Sequence, residues 1–148
     1  MLHAIDNMRS VVELCQTRQP LPEPLAAWLA NSLQAFLDMQ TPSLNHAFGI
    51  RNARGGIPWR TEVCIRQRDE ALRSLAATFM CDLSIAAQAE RIHQLSSRYA
   101  ASTWRFDRER QAPPPSYRGT PHEILWFAFK AGATMPLCKR QLRTILSS

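Results

Sequence analysis

Glycine is scarce in this chain, with 5 in 148 residues, and lysine is scarcer still: Lys130 and Lys139 stand against 16 arginines. So little glycine, and no internal period, excludes collagen-like and repeat architectures. Nucleotide cradles of the G-x-x-x-x-G-K-[ST] or G-x-G-x-x-G type are missing as well. Cys15, Cys64, Cys81 and Cys138 form no C-x-x-C and no Cys/His pair at ligand spacing, which argues against structural zinc. Each lies among apolar neighbours, so the expectation is four buried thiols in a reducing cytosol.

Long apolar runs are missing too. The longest uncharged stretch, Pro24 to Leu37, is 14 residues and contains Asn31, Ser32 and Gln34. A bilayer span needs about 20 residues. The first residues, MLHAIDNMRS, have no apolar core of signal length. The expectation is a soluble, cytoplasmic protein without a membrane partner. Catalytic signatures are absent: His3, His46, His93 and His122 are scattered, and no G-x-S-x-G or H-E-x-x-H occurs. No carboxylate pair sits in an apolar context suited to acid/base work. We therefore expect no enzyme, no catalytic residues, no cofactor and no metal.

What the chain does have is positive charge, unevenly placed. It carries +6 overall, with −2 on residues 1–48 and +8 on residues 49–148. Clustered base on a small domain of high pI is the footprint of a polyanion binder. A charge of this size also serves solubility alone, and arginine over lysine follows equally from a GC-rich bacterial genome.

Hydrophobic periodicity is helical throughout, and no period-two pattern appears. The fold reads as all-α, a bundle of about six helices in one domain, 1–148. Within it, 1–48 forms acidic and apolar helices and 49–60 a Gly/Arg loop. Residues 61–111 hold the central helices, 112–119 a Pro-rich connector, and 120–148 a C-terminal helix pair resembling a helix-turn-helix.

Residues 4–18 predict a helix with Ile5, Met8, Val12 and Cys15 on one side, stopped by Gln19-Pro20-Leu21-Pro22. A second helix reads from Glu23 to Met39, with Leu25, Trp28, Leu29, Leu33, Phe36 and Leu37 at helical spacing. A short helical turn near Leu44 ends at Gly49. The loop IRNARGGIPWR holds Arg51, Arg54 and Arg60 around Trp59, and its glycines allow close approach to a phosphate backbone. From Thr61, a plausible cap, a helix to Met80 buries Ile65, Leu72, Leu75, Ala76 and Phe79. Glu62/Arg66, Arg66/Glu70 and Asp69/Arg73, each four apart, neutralise its outer face.

Ser84 caps a long helix through Arg110, with Ile85, Ala89, Ile92, Tyr99, Thr103 and Phe106 inward. Arg91, Arg98 and Arg105 recur every seven residues and so share one face, with Arg108 three further on. Arg98 is central and has Gln94 and Ser102, not acids, four residues away. Ala112-Pro113-Pro114-Pro115 then ends the helix. Thr120-Pro121-His122-Glu123 reads as a capping box for an apolar core helix, 121–131, closed by Gly132. A last helix from Pro136 turns Leu137, Leu142, Ile145 and Leu146 inward and Lys139, Arg140 and Arg143 outward.

Short turns join the helix pairs at 80–84 and at 132–136, as helix-turn-helix DNA readers require. The expected function is DNA binding in regulation or phage-type DNA handling, through Arg91, Arg98, Arg105, Arg108, Lys139, Arg140, Arg143, Arg51 and Arg54. The alternative is a protein-interaction module, an inhibitor or adaptor that offers arginine and aromatic side chains to an acidic partner. The apolar helix at 24–37 also suits a homodimer seam.

Overall fold

A computed structural model describes residues 2–50, 56–136 and 138–148. Eight α-helices and no strand occur among them: α1 Leu2–Gln16, α2 Glu23–Leu37, α3 Leu44–Ala47, α4 Trp59–Phe79, α5 Ile85–Ser102, α6 Trp104–Asp107, α7 Pro121–Lys130 and α8 Lys139–Ser147. The chain divides into two compact units, Met1–Arg60 and Thr61–Ser148. No described helix is long and apolar enough to cross a membrane.

The first unit has a thin core. Among its described residues the buried apolar side chains are Ala4, Ile5 and Ile50; Ser32 is buried as well and donates to the carbonyl of Trp28 at 2.8 Å. Val12 and Cys15 are exposed, so α1 buries only the Ile5 end of its expected stripe. Trp28 and Leu29 are half-buried, whereas Leu33, Phe36 and Leu37 stand in solvent. As the spacing predicts, α3 is followed by Gly49 at φ 69°; its N-terminus is capped by Ser43. Arg51 and Arg54 lie outside the described residues. Trp59, beyond them, is half-buried and already begins α4 straight after Pro58, so Thr61 is an interior residue and no cap.

The second unit holds the main core. Leu72, Leu75, Ala76 and Met80 of α4 and its end pack with Ala89, Ile92 and Tyr99 of α5, Leu125 and Ala128 of α7, and Leu142 of α8. Phe79, expected inside, is exposed and Met80 takes its place. Ser84 caps α5 by accepting from the Ala87 amide at 3.3 Å, as predicted. The cysteines depart from expectation: Cys64 is half-buried, and Cys15, Cys81 and Cys138 are exposed. Apolar sequence neighbours do not put a residue on the packed face of a helix.

The long helix to Arg110 does not form. Helix α5 stops at Ser102, Thr103 makes a turn, and α6 is a single turn. The interruption coincides with demands that a straight helix cannot meet together. Tyr99 and Tyr117 both donate to the Asp107 carboxylate, at 2.9 and 2.8 Å, and Trp126 donates to the Asp107 carbonyl at 3.4 Å. Asp107 is thereby only 3% exposed, and Phe106 beside it is turned outward.

At α7 the capping box is altered. Thr120 makes no side-chain cap and donates to the Tyr117 carbonyl, while Glu123 accepts from the Gly119 amide at 2.8 Å. Leu125, Trp126 and Ala128 are core, but Phe127 is exposed. Gly132, at φ 84°, follows the end of α7 as expected. The last helix starts at Lys139, so the connection is 131–138 and exceeds the turn of three or four residues in a helix-turn-helix. Leu137, expected inward, lies outside the described residues. Helix α8 packs along α5, with Leu142 buried and Ile145 and Leu146 half-buried.

Candidate nucleic-acid interface

The basic unit, Thr61–Ser148, carries thirteen Lys and Arg against eight Asp and Glu, a net charge of +5. What matters for a ligand is how many of those cations are already used. Arg68 pairs with Asp69 at 2.6 Å and donates to the Thr134 carbonyl. Arg108 pairs with Glu109 at 3.2 Å, and Arg110 with Asp107 at 3.3 Å. Lys139 bridges to Glu90 at 2.5 Å, and that contact holds the Glu90 carboxyl below its ordinary value. Lys130 donates to the carbonyls of Arg108 and Arg110, 2.7 Å each.

Arg73 corrects the expected outer face of α4. It donates to the Ile145 carbonyl and the Ser148 hydroxyl, at 3.4 and 3.2 Å, because Asp69 is taken by Arg68. It is a tie between α4 and the end of α8, not a neutralised surface charge.

Arg66 is engaged as well, and Arg105 is stacked on Phe106. Five arginines remain. Arg91, Arg98, Arg118, Arg140 and Arg143 are exposed and meet no carboxylate among the described residues. Arg91 and Arg98 share one line on α5, seven residues and about 10.5 Å apart. Arg105 does not continue this line, because it stands on α6 beyond the turn at Thr103. Its guanidinium lies over the Phe106 ring, 4.5 Å from the centroid. Arg140 and Arg143 belong to α8, whose Lys139 is tied to Glu90, a residue 80–100° around α5 from the Arg91/Arg98 line by helical geometry. The predicted cations thus fall into separate groups, Arg91 with Arg98, Arg140 with Arg143, and Arg105 with Arg108 at α6.

Sequence reasoning missed two kinds of residue here. Arg118, in the Pro-rich connector, is one of the unengaged cations. Phe106 and Phe127 were assigned to packing by periodicity, yet they are 63% and 51% exposed.

A cavity of about 410 Å³ opens between Arg68, Thr134–Pro136 and the α8 residues Gln141, Thr144 and Ile145. Two of its polar side chains are already engaged, Arg68 as above and Thr144 on the Arg140 carbonyl. No group of three metal-ligating side chains occurs among the described residues. No protein family, curated protein or solved structure matches the chain.

Proposed function

We propose that this protein binds DNA through its basic unit, with the phosphate backbone gripped by arginines that have no internal partner. One observation carries this reading. Asp69, Glu90, Asp107, Glu109 and Glu123 are each held by a group of their own unit, whereas Arg91, Arg98, Arg118, Arg140 and Arg143 are free in solvent. A guanidinium that is extended and unpaired can offer both donors of its fork to a phosphate without first breaking an ion pair. The reading needs no helix-turn-helix and involves no catalysis.

The test is titration of a labelled duplex at several salt concentrations. Log affinity should fall linearly with log salt, with a slope of about −0.9 per phosphate contacted. Absence of binding at about 50 mM salt contradicts the proposal.

A second reading is favoured by the first unit. Leu33, Phe36, Leu37 and Met39 are exposed on and just after α2, above a core of few buried side chains. Such a surface suits a protein partner or a two-fold dimer seam. Sedimentation showing a strict monomer at micromolar concentration removes the dimer.

A further inference from the structure

Phe106 and Phe127 are the most exposed large apolar side chains of the basic unit, and both stand beside one hydrogen-bonded seam. The seam joins the end of α6 to one edge of α7. Trp126 donates its indole N–H to the Asp107 carbonyl, and Lys130 donates to the carbonyls of Arg108 and Arg110 while lying 5.6 Å from the Trp126 centroid. Phe106 precedes Asp107 directly. Phe127 follows Trp126 directly and meets its ring edge-on, centroids 5.2 Å apart and planes at 88°.

Cations interleave with these rings. The Arg105 guanidinium is already stacked on Phe106, while Arg108 and Arg110, next along the chain, are exposed but held by Glu109 and Asp107. The nearby acids are accounted for: Asp107 is buried on Tyr99, Tyr117 and Arg110, Glu109 pairs with Arg108, and Glu123 accepts from the Gly119 amide.

An apolar peptide would call for a concave, uncharged groove. An exposed ring backed by a guanidinium that no carboxylate among the described residues holds fits instead a planar base on a phosphate backbone. Resting on the nucleic-acid reading above, we propose that the α6–α7 seam stacks unpaired nucleobases on Phe106 and Phe127. The nucleic acid is then single-stranded where it crosses this seam. A base inside a duplex shows no open face, so fully paired DNA would engage the unpaired arginines but not these rings.

The test uses the full chain and fluorescence anisotropy with labelled strands of equal length, roughly 20 nucleotides, a span that covers a typical single-strand site. The probes are oligothymidylate, oligouridylate, an abasic strand of the same phosphate count, and a duplex. Oligothymidylate should bind about tenfold more tightly than the abasic strand for each stacked base. Phe106→Leu and Phe127→Leu keep apolar bulk but remove the ring. Both should lower oligothymidylate affinity toward the abasic value and leave abasic affinity and melting temperature unchanged. Relative affinity for oligouridylate then identifies DNA or RNA as the source of the bases.

Equal binding of abasic strand and oligothymidylate overturns this proposal while leaving the phosphate-binding reading intact. Leucine variants that retain the full preference for bases also overturn it. No binding to any strand removes the underlying reading and this one with it.

Discussion

Replacing Asp107 should reveal how much of the basic unit's stability is gathered at one carboxylate. Its Oδ2 accepts from the Tyr99 and Tyr117 hydroxyls at 2.9 and 2.8 Å, and its Oδ1 faces the Arg110 Nε at 3.3 Å. Asp107→Ala strands the buried Tyr99 hydroxyl, at about 1–3 kcal/mol, and the half-buried Tyr117 hydroxyl adds about 1 kcal/mol. The exposed Arg110 can turn to water and adds little. The sum, about 3 kcal/mol, corresponds to a fall in melting temperature of roughly 12–24 °C for a unit of this size. Asp107→Asn is the informative companion. An amide oxygen placed at Oδ2 still accepts from both tyrosines, so only the charge assistance is lost, about 1 kcal/mol. Circular dichroism melts of both variants, with Tyr99→Phe in each background, give the coupling directly. The reasoning fails if Asp107→Ala melts within a few degrees of the parent. It fails equally if Tyr99→Phe costs the same with and without the carboxylate.

The same cluster predicts alkaline sensitivity. Burial first, and then the Asp107 hydrogen bonds, push the Tyr99 and Tyr117 phenols upward. Their contribution is complete below the ordinary tyrosine value of about 10 and is lost as pH climbs above it, so Tyr99→Phe should flatten stability against pH in that window. For Glu90, held down chiefly by Lys139, the sign is opposite: its contribution is present above the ordinary glutamate value of about 4.5 and fades as pH falls through the lowered one. Both partners are roughly half exposed, so the difference between Glu90→Gln and parent should shrink at high salt as well as in acid. Gly132→Ala places a Cβ 3.9 Å from the Cys64 Sγ, an ordinary contact. The cost is then that of the left-handed backbone at φ 84°, about 1–2 kcal/mol. A neutral Gly132→Ala in thermal denaturation would mean that this φ is not maintained.

Local punctuation was readable from the residues alone. Ser84, Gly49 and Gly132 mark helix ends where they are found, since caps and left-handed termini depend on near neighbours. The apolar residues Leu72, Leu75, Ile92, Tyr99, Leu125 and Leu142 are core as their spacing requires. What failed depends on distant partners. Periodicity carried α5 through Thr103 because nothing local announces that Asp107 must receive Tyr117 from within the Pro-rich connector. The same blindness assigned Phe106 to the core and joined Arg105 to the Arg91/Arg98 line. Asp69 was matched to Arg73 by i,i+4 spacing, but its sequence neighbour Arg68 is nearer. Charge balance was legible as a total, and Arg98 was legible as unpaired from Gln94 and Ser102, but Arg118 was not.

The central claim is that arginines without partners, and not net charge, carry the affinity for nucleic acid. The salt dependence of DNA binding by Arg91→Ala/Arg98→Ala, set against Arg108→Ala, tests it most directly. Arg91 and Arg98 are exposed and unpaired, so folding should survive their loss while the salt slope shrinks by about two phosphate contacts. Arg108, already neutralised by Glu109, should change the slope little. An equal decrease per charge removed in both variants would contradict the claim, because bulk charge would then account for the binding.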